Sequence, residues 1–140
     1  MSSMKRILLA VVFSSFTSVI FAQIKHPIDK ELDLCLEEAT PTAAAIECMT
    51  KASEAWDKEL NKYYQLYLAA LNEENKETLK EAQRQWIVYR DKEFSLIDAH
   101  YYNQLEGTMW RPIAAGTRMR IVKSRALELQ NYYEELEIEE

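Results

Sequence analysis

The sequence is poor in residues that break a chain. It has two glycines and three prolines in 140 residues. Between Thr42 and Glu106, a stretch of 65 residues, there is neither. No alternation of apolar and polar residues competes over that stretch, so strands are excluded and helix remains, interrupted only by weaker signals. Cysteine is scarce too. Cys35 and Cys48 lack the close spacing of a redox pair. The nearest histidine, His26, stands before a proline and adds no ligand spacing of the kind a zinc site needs, so no metal and no cofactor is expected. Basic residues are outnumbered, 17 against 23 acidic. That balance excludes nucleic acid, whose phosphates require Lys and Arg, and argues against anionic lipid. There is also no internal repeat and no low-complexity linker.

The longest apolar stretch lies at the start. Lys5 and Arg6 form a positive patch, Ile7 to Phe13 an apolar core, and Ile20-Phe21-Ala22 ends on a small residue. This order is that of a secretory signal peptide, cleaved after Ala22. The apolar core is shorter than the roughly 20 residues that a membrane span requires. No Cys follows the cleavage position, so no lipid anchor is expected, and no membrane insertion after cleavage. Residues 1–22 are therefore read as signal and 23–140 as one domain, large enough for a modest core. Loss of Lys5 and Arg6 leaves 15 basic and 23 acidic residues, a net charge of −8 in place of −6. Such a surface keeps a protein soluble and favours encounter with a cationic partner. Export to the periplasm or beyond also places Cys35 and Cys48 in an oxidising compartment. Two cysteines permit one intramolecular pairing, and closing that loop is worth about 3 kcal/mol on chain-entropy grounds.

The expected architecture is all-α, a small bundle of one short and three longer helices with the disulfide joining the first two. A first helix is predicted from about Lys30 to Glu38, capped by Asp29. The second runs from Pro41 to about Leu71, with Thr40 as N-cap and Pro41 at the first helical position. Its residues Ile46, Met49, Ser53, Trp56, Leu60, Tyr63, Tyr67 and Leu71 recur at steps of three and four. Asn72 suits a C-terminal cap and Asn75 the next N-cap. The third helix extends from about Lys76 to Leu105, with Leu79, Ala82, Trp86, Tyr89, Ile97 and Tyr101 facing inward. Gly107 ends it. The last helix runs from about Ile113 or Thr117 to Leu136, marked by Met119, Ile121, Val122, Ala126, Leu129 and Tyr133. The acidic tail Glu134 to Glu140 is expected to fray. Short connections make up-and-down packing the simplest topology.

Polar groups fall on two of the apolar stripes. Asp57, Asn61 and Tyr64 share a face on the second helix. Gln83, Trp86 and Arg90 share one on the third, with Arg84 and Asp91 adjoining. Buried charge is costly unless paired, so the expectation is a structural network in which Arg84 or Arg90 meets Asp57, and Asn61 and Gln83 complete the hydrogen bonds. Asp57 and Asp91 also form a carboxylate pair of the kind hydrolases use. They lie mid-helix without a nucleophile, histidine or metal set, and His100 is about three turns beyond Asp91. The chain is accordingly not read as an enzyme. The segment Glu106-Gly107-Thr108-Met109-Trp110-Arg111-Pro112 is the better candidate for binding. Trp and Arg are enriched at interface hot spots, which singles out Trp110 and Arg111 with Glu106 beside them; the competing reading has Trp110 folding back to cap the bundle.

Several of these residues carry a resemblance. Cys35, Thr40 and Cys48, then Trp56-Asp57-x-Glu59-Leu60-Asn61-x-x-Tyr64, then Leu79-x-x-Ala82-Gln83-Arg84-x-Trp86-x-x-Tyr89-Arg90-Asp91, look like the LprI-like family of secreted bacterial proteins, named after a lysozyme inhibitor lipoprotein. Gly107-Thr108 and Arg125-Ala126-x-x-Leu129 fit its looser C-terminal pattern. Members often carry further cysteines in the second half; this chain has none there, and it lacks the namesake's lipid-attachment cysteine. The resemblance implies an exported binding protein that inhibits lysozyme by steric and electrostatic blocking, its partner a cationic protein such as a lysozyme. The alternative is a non-enzymatic periplasmic module with another protein partner.

Overall fold

The computed structural model describes residues 25–138. The segment 1–22, read above as a signal, lies outside the described residues, as do the last two residues of the acidic tail. The described chain forms four helices and no strand: α1 (Pro27–Glu38), α2 (Thr42–Ala70), α3 (Glu73–Asp98) and α4 (Trp110–Ile138). A π-helical turn, Ala99–Gln104, extends α3.

Local chemistry moves each predicted boundary. Pro27, not Asp29, opens α1, because its fixed φ suits the first helical position. The cap is His26, whose Nδ1 accepts from the Ile28 N–H at 3.3 Å. Asp29 thus lies inside the first turn. Pro41 is itself the N-cap of α2, with extended backbone and no side-chain cap bond, so Thr40 stands one residue outside. Asn72 caps the start of α3 and not the end of α2: its side chain accepts from the Asn75 N–H at 2.9 Å. The helix then begins at Glu73, and Glu73 and Glu74 fill a first turn where the helix dipole favours negative charge. Helix α4 begins at Trp110, earlier than expected. Pro112 falls in its first turn, where a missing N–H costs nothing. At the other end α4 continues through the acidic residues as far as Ile138.

The helices pack up and down. Cys35 and Cys48 form the disulfide that ties α1 antiparallel to α2, with their Cα atoms 5.8 Å apart. Helices α2 and α4 run parallel and form the largest interface. Met49 meets Gly116, Trp56 meets Lys123 and Tyr63 meets Tyr133 along it. Small side chains permit that closeness: Ala114, Ala126 and Ala52 are buried. A Cβ on Gly116 would stand 3.3 Å from the Met49 sulfur. Trp56 and Leu129 are fully buried, with Leu60, Met119 and Val122 around them. Full burial of Leu60 or Leu129 stabilises by about 2 kcal/mol each.

Helix α3 runs antiparallel to α4, as the Gln83–Arg125 and Asp98–Arg118 contacts show. Its contact with α2 is smaller than its contact with α4. Its buried stripe is therefore narrower than the periodicity suggests. Leu79 and Ile97 are buried, while Ala82 and Tyr89 are exposed.

Candidate functional site

One end of the bundle gathers the features expected of a binding surface. The C-terminal end of α3, the π turn, the connection to α4 and the start of α2 meet there. They enclose an open cleft of about 540 Å³ lined by Ile46, Tyr101, Tyr102, Leu105, Thr108 and Arg111. The π turn adds a residue to the helical turn and redirects Tyr101 and Tyr102, and such insertions recur at functional sites. Gly107 sits at φ +101, a conformation that side chains resist, and nothing crowds it. It turns the chain from the π segment towards α4. Leu96, Tyr102, Met109 and Ile113 leave large apolar surface exposed around this end. Exposed apolar groups gathered together mark interaction surfaces more often than scattered ones do.

The three residues singled out for binding take different places here. Trp110 is half-buried in the first turn of α4. Its Nε1 donates to the Glu106 carbonyl at 2.9 Å, and its ring lies 6.2 Å from that of Tyr101. Trp110 thus staples the loop to the helix. Glu106 is exposed and takes part through its main chain. Arg111 is exposed, its backbone N–H held by the Thr108 carbonyl at 3.2 Å. His100 packs edge-on against Tyr101 at 4.8 Å between ring centres. Among the described residues no group of three or more His, Cys, Asp or Glu side chains is placed to hold a metal.

The polar groups of the second and third helices do not pair as expected. Arg84 bonds to Glu81, one turn back on its own helix. Arg90 bonds to the neighbouring Asp91 at 2.7 Å and lies over the rings of Trp86 and Phe94. Asn61 donates to the carbonyl of Asp57 at 2.8 Å and to its carboxylate at 3.1 Å. Tyr64 is half-buried against the core. The cause is the placement of α4: it occupies the seam, so Asp57 and Arg90 only border a common groove with Phe94 and Val122. Both carboxylates, Asp57 and Asp91, are exposed.

The groups that do cross between helices come from α4. Arg125 donates to the buried Gln83 at 3.0 Å and pairs with Glu128. Arg118 pairs with Asp98 and lies over the rings of Phe94 and Tyr102. Lys123 pairs with Asp29 at 2.6 Å. Phe94 is thereby flanked by two guanidinium groups, Arg90 and Arg118. The signal was present in the sequence, since Arg118, Ile121, Arg125 and Leu129 follow at steps of three and four on one face.

Titration is perturbed on exposed helix surfaces. A hydrogen bond to Glu59 raises Lys62, and one to Glu77 raises Lys80. A hydrogen bond from Lys76 lowers Glu73, and hydrogen bonds from Gln85 and then Arg84 lower Glu81. These are pairs on one helix in open solvent, where such contacts add little.

Three comparisons with known proteins bear on this arrangement. A family model described as lysozyme inhibitor LprI matches residues 35–129, from the first cysteine to the buried Leu129 of α4. An uncharacterised protein of Rhizobium meliloti (strain 1021) is 31% identical over 103 residues, which is 64% of this chain and 72% of that protein. The crystal structure of an uncharacterised protein from Burkholderia thailandensis is similar with a TM-score of 0.74 and 30% identity, covering 81% of this chain. The present chain spans only 56% of that solved chain.

Proposed function

The chain belongs to the lysozyme inhibitor LprI family, and on that premise we propose that it is an exported, non-enzymatic inhibitor of a cationic lysozyme. The family match over residues 35–129 carries this reading. Export rests on the order of charge and apolarity in residues 1–22. No helix among the described residues is long and apolar enough to cross a membrane.

Inhibition is steric and electrostatic in this reading. The net charge of −8 left after removal of residues 1–22 draws a cationic enzyme in, and complementary charge acts mainly on the rate of encounter. The loop end then covers the substrate cleft of the enzyme. Its exposed Met109 and Ile113 supply apolar contact, and Trp110 fixes the loop that presents Arg111 and Glu106. A rigid binding loop loses little conformational freedom on association, which favours affinity.

The test is a cell-wall clearing assay with the purified chain lacking residues 1–22 and a cationic lysozyme. Clearing slows at micromolar inhibitor, and added salt weakens the effect as screening sets in. Undiminished clearing at low salt with the chain in excess would refute the proposal.

A further inference from the structure

Six arginines lie among the described residues, and five of them are engaged. Arg84 pairs with Glu81, Arg90 with Asp91 and Arg118 with Asp98. Arg125 is held by Gln83 and Glu128, and Arg120 bonds to the Thr117 hydroxyl. The guanidinium of Arg111 has no hydrogen-bond or ion-pair partner among the described residues. It is also the arginine that borders the cleft at the loop end. Its backbone is tied to the preceding loop, directly by its own N–H to the Thr108 carbonyl and through its neighbour Trp110, whose indole donates to the Glu106 carbonyl. Among the described residues, an unpaired guanidinium is thus presented from a fixed base, while the other arginines satisfy acceptors of their own.

We infer that Arg111 is the residue that engages the catalytic carboxylates of the inhibited lysozyme. This rests on the inhibitor reading above. Glycosidases that retain configuration work with two carboxyl groups about 5–5.5 Å apart, one a nucleophile and the other a proton donor kept protonated. The planar guanidinium is suited to bind carboxylates through paired hydrogen bonds. Placed between the two, it neutralises the nucleophile. It also lowers the pKa of the acid, because a nearby positive charge favours the ionised form, and so removes the proton that catalysis needs. Charge selects the docking pose as well. The acidic body attracts a cationic enzyme in many orientations, but a lone arginine at one end is repelled by that surface everywhere except at the carboxylates.

Inhibition constants against one lysozyme test this, measured for the wild-type chain, Arg111→Ala and Arg111→Lys. Helicity and melting temperature should match among the three, since the guanidinium is exposed and makes no hydrogen bond or ion pair among the described residues. Arg111→Ala weakens inhibition at least tenfold, and Arg111→Lys restores part of it. A lysozyme whose catalytic acid is changed from Glu to Gln binds the wild-type chain less tightly but Arg111→Ala no differently. If the wild-type chain inhibits and Arg111→Ala inhibits equally well, the role of Arg111 is overturned while the inhibitor reading stands. If the wild-type chain does not inhibit, the reading itself fails, and the role of Arg111 with it.

Discussion

Lys123, in the middle of α4, reaches Asp29 in the first turn of α1 at 2.6 Å, and its ammonium stands 5.2 Å from the centre of the Trp56 ring. The pair links elements 94 residues apart in sequence. It closes the end of the α1–α2 hairpin opposite the disulfide, where His26 also stacks on Trp56 at 4.4 Å. Asp29 and Lys123 are both largely shielded from solvent, so the contact is screened less than a surface ion pair. Lys123→Ala removes the ion pair and the cation over the indole together. A loss of about 1–2 kcal/mol is expected in urea denaturation.

The disulfide acts at the other end of the same hairpin. Helix α1 has 12 residues, a length at which an isolated helix is marginal. Replacing Cys35 and Cys48 together by Ser should cost about 2–4 kcal/mol. Amide exchange in α1 should rise well before exchange in α2 and α4, because α1 has the smaller interface. Uniform loosening of all four helices in the double variant would contradict this picture.

Asp57 and Arg125 should respond in opposite ways to removal. Asp57 is exposed and bonded within its own helix, so Asp57→Asn should change stability by no more than about 0.5 kcal/mol. Arg125 is nearly buried and satisfies the buried Gln83. Arg125→Met leaves the Gln83 carbonyl without its donor and should cost about 2 kcal/mol. Chemical denaturation of the two variants side by side measures the contrast.

Between acid and alkali the exposed helix pairs set a shallow pH dependence. Glu73 and Glu81 are lowered by hydrogen bonds from Lys76 and from Gln85 and Arg84. Their contribution is present above the unfolded carboxylate value and is lost as pH falls below roughly 4. Lys62 and Lys80 are raised by Glu59 and Glu77. Theirs is present below the unfolded lysine value and is lost as pH rises above roughly 10.4. Melting temperature should therefore show no step from these pairs between the two limits. The small losses outside them should shrink in high salt.

Much of this fold was legible in advance. Periodicity and the lack of breakers fix four helices, and two cysteines leave one pairing. Boundaries were misplaced wherever two capping residues competed: His26 with Asp29, Pro41 with Thr40, and Asn72 with Asn75. Spacing alone does not say which of two neighbours turns its side chain onto the free N–H groups. The π turn left no mark either, since Ala99 to Gln104 reads as ordinary helix. The polar pairing departs from the spacing for a tertiary reason. Periodicity has the stripes of α2 and α3 face one another, whereas α4, with Ala114, Gly116 and Ala126, fits closely enough against α2 to occupy the seam. Its own arginines and Lys123 then provide the partners. Composition singles out the segment 106–112 as a candidate, but not the division within it, in which Trp110 is tied down and the Arg111 guanidinium has no partner among the described residues.

The central claim is that the loop end is the face that meets lysozyme. Titrating the isotopically labelled chain with unlabelled lysozyme and following its amide resonances tests this most directly. The account predicts changes concentrated in residues 99–113 and around Ile46, at a stoichiometry of one to one. Changes centred instead on the acidic end, at Glu73 to Glu81 and Glu128 to Glu137, or no change at saturating lysozyme, would contradict it.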